Sequence, residues 1–349
     1  MAIPSNKRRK TRHLAAVLDL PRLTVHCLLK QEKFFKRHTS AVKPKLTTAN
    51  KHLRILHALE HINPQTINSQ TQSMKCLHME NEVHFDEKWF FVCRDGESHM
   101  LVSDEIPPER VVKHKSHITK VMFLCAQARP RKLTNNTWWD GKIGIWPIGC
   151  YRRAERGSVN RPRGTLLFEP ETTDMDEHRS MMIGDVLPAI LNEFPHSEHN
   201  RFAEIIMQQD GAPAHVNSRD HEWMETLTEM GLDEKIRLIT QPANSPDLNV
   251  NDLGFFNALQ SMHCCTTPSN ELELIEMAEQ THKDCPCNKI NRIWVTLQTV
   301  FNNTLDNFGG NQCNMACMGK EKLEKQGRLP RVVEVNPIAS YFLEGFHED

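Results

Sequence analysis

Residues 82–92, EVHFDEKWFFV, alternate apolar and polar side chains in a chain whose preceding residues show helical spacing or none. A period of two is that of a half-buried strand, so the architecture must change at this point. Further strands follow. KVMFLCAQA (120–128) is almost continuously apolar, as in the middle of a sheet, and AEIIMQQD (203–210) is short and ends on a carboxylate. KIRLITQ (235–241) is another, and the turn signal DGE (95–97) predicts a hairpin into SHMLVS. Between the later strands, EHRSMMIGDVLPAILNEF (177–194) places apolar residues at 183, 186, 187, 190, 191 and 194, one helical face with a kink expected at Pro188. A helix near 218–230 fills the next gap, and a long apolar stripe over 288–308 ends at Gly309-Gly310. Strands interleaved with helices predict an α/β fold, a mixed sheet flanked by helices, followed by a helical C-terminal region.

At 349 residues the chain has room for two or three domains. The polar stretch 62–80 is the expected linker between residues 1–61 and a domain over 81–265. Residues 130–175, rich in Gly, Pro, Trp and Arg, are expected to be an irregular insertion, and 266–349 the helical C-terminal region. A net charge of -1 hides an asymmetry. Twelve Lys/Arg and two acids fall in residues 1–50, which leaves 31 basic and 42 acidic residues for the rest. A basic head on an acidic body points to a polyanion-binding module, with a solvated basic tail as the alternative.

Within the head, TRHLAAVLDLPRLTVHCLLKQEKFF reads as helix, turn near 19–22, helix, the pattern of a DNA-binding helix-turn-helix. Lys7, Arg8, Arg9, Lys10, Arg12, Arg22 and Lys30 are its candidate phosphate contacts. Arg152, Arg153, Arg161 and Arg163 form a second basic group, which either clamps an anionic ligand or decorates a solvated loop. No apolar run approaches the ~20 residues that span a bilayer, so no membrane partner is expected. Eleven scattered cysteines, an odd number, favour a reduced cytosolic or nuclear compartment.

Three carboxylates sit where strands or helices begin or end: Asp86 in the first strand, Asp210 after a later one, Asp252 on the helix after the last. Ligand groups converge at such places in open sheets. Three acids together need cations, and all-oxygen donors suit Mg²⁺ or Mn²⁺, two of which could serve phosphodiester chemistry. Each acid also has a purely structural reading. Asp86 and Glu87 are neighbours on a strand, so only one of them can face a site. Asp210 could cap a turn, and Asp247, after Ser-Pro, suits a helix N-cap. A zinc site using Cys264, Cys265, Cys285 and Cys287 lacks the usual two-residue gap.

HFDEKWFF, QQDGAPAH and NSPDLNVNDLGFFNALQS, in that order, resemble the three signature blocks of mariner-type transposases, nearest the plant and oomycete-like branch. GKIGIWP, RPRGTL and the terminal GGN…MGK…GRLP resemble that branch too, so the likeness spans nearly the whole chain. It implies a ribonuclease-H-like catalytic domain with an Asp86–Asp210–Asp252 triad holding two Mg²⁺ (or Mn²⁺), the first Asp bridging the ions. The implied activity is cut-and-paste transposition: nicking double-stranded DNA at terminal inverted repeats, then joining the freed 3′-hydroxyl to target DNA. A homodimer and a nuclear location follow from the same resemblance. His215 and Asn244, inside the blocks, are candidates for orienting a carboxylate or touching DNA, with turn and cap hydrogen bonding the alternative.

The chain departs from the family in places. Gly211 stands where relatives carry Asn, and Cys317 where a His is expected. Relatives also carry a further helix-turn-helix upstream of the one here, so the head is expected to be an N-terminally truncated remnant. Those departures open two functions: a transposase, open to impairment in this copy, or a catalytically inactive or domesticated DNA-binding protein retaining the fold. Deletion of residues 1–50 is expected to abolish salt-sensitive DNA binding in mobility-shift titrations, because those residues carry the excess positive charge.

Overall fold

The computed structural model describes residues 15, 18–30, 43–67, 73–92, 119–157, 161–195, 204–262, 268–312 and 318–345. The expected hairpin strand SHMLVS, Cys264, Cys265 and Cys317 lie outside them. The chain divides into two compact units, Met1–Pro44 and Lys45–Asp349. No helix among the described residues is long and apolar enough to cross a membrane.

In the smaller unit, helical residues at 15 and 18 lead to a turn and then to helix α1 (Arg22–Lys30). Asp19 takes φ +54, a left-handed conformation that Asp tolerates better than most residues, and Leu20 N–H donates to Ala15 O at 3.1 Å. Ala15 and Val25 are buried while Leu23 is exposed. The turn thus falls where the sequence places it.

The larger unit is built on six strands: β1 (Glu82–Phe91), β2 (Lys120–Ala128), β3 (Lys142–Arg153), β4 (Leu166–Pro170), β5 (Ile205–Gln209) and β6 (Ile236–Thr240). Their order is β4-β3-β2-β1-β5-β6. The pairs from β1 through β4 are antiparallel, and β5 and β6 continue the sheet in parallel from β1. The parallel register sets the geometry of the site. Glu82 pairs with Ile206, Val83 with Met207 and His84 with Gln208. The pairing stops there, and the same offset carried two residues further sets Asp86 beside Asp210.

Alternation along β1 loads both faces of the sheet. Val83 and Phe85 join Leu124, Ala126 and the helices α3 (Met175–Met181), α4 (Leu187–Glu193) and α5 (His221–Glu229) in one core. Phe90 joins Phe123 and Cys125 in the other core. There they meet α2 (Thr48–Glu60), α6 (Phe256–Met262), α7 (Glu271–Asp284) and α8 (Cys287–Asp306). A π-helical turn, Met182–Val186, joins α3 to α4. The irregularity lies one turn before Pro188, which has no N–H to continue the α-helical ladder and opens α4 instead.

Three boundaries differ from the sequence reading. Residues 130–175 are not an irregular insertion: β3 and β4 pair from Gly149↔Pro170 to Arg153↔Leu166 and extend the main sheet. Gly149 takes φ +145, and a Cβ there would collide with the Glu169 carbonyl oxygen, so a residue that reads as a breaker is what lets the strands approach. The described residues of the stretch 62–80, 62–67 and 73–80, do not behave as a linker. Met74, Cys76 and Met79 are buried, and Met74 and Lys75 pair with Val335 and Glu334 of the C-terminal region. Residues 45–61, assigned by sequence to the head, belong to the larger unit.

Arg54 explains the last of these. Its side chain on α2 is fully buried. The guanidinium donates from both terminal nitrogens to the Asp247 carboxylate at 2.7 Å, from Nε to Gly309 O at 3.0 Å, and from Nη2 to Thr304 Oγ1 at 3.3 Å. Gly309 sits at φ +79, where a Cβ would strike the Lys51 carbonyl. Asp247 therefore does not cap a helix. It lies within the 3-10 turn Pro246–Leu248, whose N-cap Ser245 makes no side-chain cap bond, and its carboxylate is committed to Arg54. Removing one partner strands a buried charge, so Asp247→Ala is expected to cost about 3 kcal/mol in urea unfolding. That is the low end for such pairs, because Asp247 is 28% exposed. A loss under about 1 kcal/mol would mean that water replaces the carboxylate.

Candidate active site

Asp86 lies midway along β1 and is buried on the face that meets α6 and α8. Asp210 follows β5 directly. Asp252 stands on a π-helical turn, Asn251–Phe255, that leads into α6. Two asparagines fasten this last segment to β1. Asn249 Nδ2 donates to Phe85 O at 3.0 Å, and Asn251 Nδ2 donates to His84 O at 3.0 Å and Cys125 O at 3.4 Å. Val250 N–H donates to His84 Nδ1 at 3.3 Å, and Gln208 Nε2 on β5 donates to Leu248 O at 2.9 Å. The anchors on β1 are the two residues just before Asp86, so the third acid is indexed against the first through backbone carbonyls.

Electrostatics agree with that convergence. Burial holds the Asp86 carboxyl well above the usual carboxylate range, and the charges of Asp252, Glu87 and Asp210 push it further the same way. The Glu87 N–H, donating to Asp86 Oδ1 at 2.9 Å, opposes them only in part. Each outer acid has a cation of its own. Lys88 Nζ lies 2.9 Å from Asp252 Oδ1 and 5.4 Å from the centre of the Phe256 ring. His215 Nδ1 lies 2.8 Å from Asp210 Oδ1, and its Nε2 lies 3.0 Å from Glu87 Oε2. The His215 hydrogen bond holds Asp210 below its ordinary value. Burial disfavours protonation of His215, but hydrogen bonds to Asp210 and Glu87 outweigh it and raise the ring to about 10.

Of the other residues singled out by sequence, His215 contacts Asp210, and Asn244 lies in a turn. Asn244 is exposed at φ +58, in the turn before Pro246–Leu248. Arg22 is exposed on α1 and Lys30 ends that helix. Lys7, Arg8, Arg9, Lys10 and Arg12 lie outside the described residues. Arg152 and Arg153 close β3, with Arg152 on Glu169 and Arg153 Nη1 donating to Gly164 O at 3.3 Å. Arg161 and Arg163 are exposed in the connection to β4. β2 separates this whole group from β1. Trp89 is half-buried under the Lys120 ammonium, 3.9 Å above its ring, and is not a core residue.

Sequence reasoning missed Asn249, Asn251, Gln208 and His178, and it left Lys88 without a role. For the asparagines a signal was present: two amides flank the third acid in a motif too polar for a helix start alone. Cys285 is buried and Cys287 half-buried. Among the described residues, the one set of His, Cys, Asp or Glu ligand atoms within 4.8 Å of one another is Glu87, His178 and His215. The three aspartates thus stand wider apart than a single-ion cage. Gly211 has no positive φ, and a Cβ there meets only the Thr240 methyl at 3.2 Å. Gly211→Asn is therefore expected to fold with a melting temperature within about 3 °C of wild type, a stability change of about 1 kcal/mol at most. A larger drop in a thermal melt would show that the loop selects glycine.

No family model matches the chain, and no curated protein matches it. Solved structures do. They include a pre-cleavage Mos1 transpososome, with TM-score 0.56 and 14% identity over 86% of this chain and 75% of that one. The Mos1 Strand Transfer Complex gives TM-score 0.55 and 14% identity over 87% and 75%. The Mos1 mariner paired end complex with Mn gives 0.54 and 15% over 87% and 75%. At such identity the fold is what is shared, and it is shared across most of both chains: this protein has a ribonuclease-H-like α/β fold, like these Mos1 structures.

Proposed function

We propose that the chain is a cut-and-paste DNA transposase of the mariner type, with Asp86, Asp210 and Asp252 as its catalytic, cation-holding residues. The observation that carries this reading is the parallel register of β1 and β5, which sets Asp86 beside Asp210. The asparagine clamps then bring Asp252 to the same strand. The folds that resemble it are named as a transpososome, a strand transfer complex and a paired end complex with Mn. That likeness supports DNA ends as partner and a divalent cation as cofactor; a homodimer and a nuclear location are proposed from the sequence resemblance alone.

The residues present suit Mg²⁺ or Mn²⁺. Every donor is a hard oxygen, and burial with crowded negative charge leaves Asp86 short of a counter-charge. Asp86, Asp210 and Asp252 would hold the cations, two in number by the family resemblance. Bound there, such ions supply activation of the attacking hydroxyl and charge stabilisation of the phosphodiester leaving oxygen. The chain's own residues do the positioning. His215 and Lys88 pair with the outer carboxylates and aim them, and Asn249 and Asn251 fix Asp252 against β1. Lys7, Arg8, Arg9, Lys10, Arg12, Arg22 and Lys30 hold phosphates in the head. Arg152, Arg153, Arg161 and Arg163 offer a second basic surface, at a distance from the acids.

The test is a nicking assay on a duplex carrying the inverted repeats that flank the gene. Wild type is expected to give 3′-hydroxyl nicks that require Mg²⁺ or Mn²⁺, and Asp86→Ala is expected to lose at least 10³-fold of that rate, about 4 kcal/mol of barrier. If wild type binds the duplex without a metal-dependent nick, the catalytic reading falls and the non-catalytic DNA-binding alternative stands.

A further inference from the structure

We propose that Glu87 is a positioning residue for Asp210, acting through His215 from the face of β1 opposite Asp86. The inference rests on the reading that Asp210 holds a divalent cation. Neighbouring residues on a strand point to opposite faces. Asp86 turns toward α6 and α8, and Glu87 turns toward α3, where its carboxylate is 12% exposed. His178 of α3 and His215 of the loop after Asp210 meet it there. His178 Nε2 lies 3.6 Å from Glu87 Oε1, and His215 Nε2 lies 3.0 Å from Oε2. The two imidazoles stack with centroids 4.4 Å apart and planes 19° from parallel.

The hydrogen-bond pattern decides what this cluster does. Three ligand atoms, one carboxylate oxygen and two imidazole nitrogens, within 4.8 Å have the spacing of a cation site. However, the Val216 N–H donates to His178 Nδ1 at 3.2 Å, so that nitrogen is the acceptor and the ring hydrogen sits on Nε2. A cation on Nε2 would move that hydrogen to Nδ1, facing a second donor. His215 has a carboxylate on each ring nitrogen and would have to surrender one. The geometry favours a relay of hydrogen bonds. Glu87 fixes one end of His215, His178 forms a flat wall against its ring, and the other end grips Asp210. Asp210 Oδ1 takes both His215 Nδ1, at 2.8 Å, and the Ala212 N–H, at 3.0 Å, so both contacts fall on one oxygen of the carboxylate and fix its plane. Partners behind a ligand typically set 10–100-fold in metal affinity.

Glu87→Asp separates positioning from charge, because it keeps the carboxylate and shortens its reach by one methylene. In Mn²⁺ titrations of the full chain followed by electron paramagnetic resonance, Glu87→Asp is expected to bind about tenfold more weakly than wild type. Binding within twofold of wild type overturns the proposal. In a His215→Asn background, Glu87→Asp is expected to cost nothing further. A second tenfold loss there would overturn the route through His215. Should Glu87→Asp fail to fold, Glu87→Ala, which removes the contact to His215 altogether, replaces it with the same expectations. Metal-free crystal structures give an answer independent of cation binding: in Glu87→Asp the His215 ring is expected to leave Asp210, and an unchanged contact overturns the proposal. A wild type that binds no Mn²⁺ defeats the catalytic reading itself, and those crystal structures then decide the role of Glu87.

Discussion

Gathering carboxylates in a half-buried cleft is electrostatically uphill, and much of the polar architecture of this protein answers that one constraint. Asp86 is buried among acids and accepts a single backbone hydrogen bond from the protein. The two outer acids are held by cations drawn from opposite faces of the sheet, Lys88 from one and His215 from the other. β1 supplies residues to all of this. Three consecutive residues, Asp86, Glu87 and Lys88, provide an acid for the cleft, a support for His215 and a partner for Asp252. The alternation of a single strand lets adjacent residues serve both faces.

Position matters as much as charge. Asp210 comes to Asp86 through strand register, which is stiff. Asp252 comes on a connection, which alone would be loose. Four hydrogen bonds from Gln208, Asn249, Asn251 and the Val250 N–H tie that connection to β1 and β5. Just upstream, the Arg54–Asp247 pair ties the same connection to α2 and to the end of α8. The third acid is thus clamped from both the sheet and the helices, and the C-terminal region is part of the frame that positions it.

Legibility in the sequence tracked how local each cause was. β2 was readable residue for residue because it is a short, almost continuously apolar run, and β1 to within one residue because apolar and polar side chains alternate along it. β3 was hidden because Pro147 and Gly149 imitate loop punctuation, while the pairing with β2 and β4 that overrides them is non-local. Asp247 carried a local capping signature, but its partner Arg54 lies 193 residues away. The three candidate aspartates could be nominated by their places at element ends and by resemblance. The 124-residue offset that sets β1 against β5 has no local trace. The role of Glu87 was half legible: its opposite facing followed from Asp86, and its partners did not.

The π-helical turn beneath Asp252 has a consequence for how the length of this region can drift. An α-helix advances ~100° per residue, and a π turn accommodates one residue more than an α turn without changing the helix on either side. Asn251–Phe255 therefore behaves as a one-residue reservoir between the asparagine clamps and α6. Shortening it by one residue would leave a regular helix but break the phase between Asp252 and the core-facing Phe255 and Phe256 by about a quarter turn. Insertions and deletions elsewhere between Asp210 and Asp252 can be taken up by the loops. Inside this turn, the reading frame of the helix and the aim of the carboxylate are the same variable.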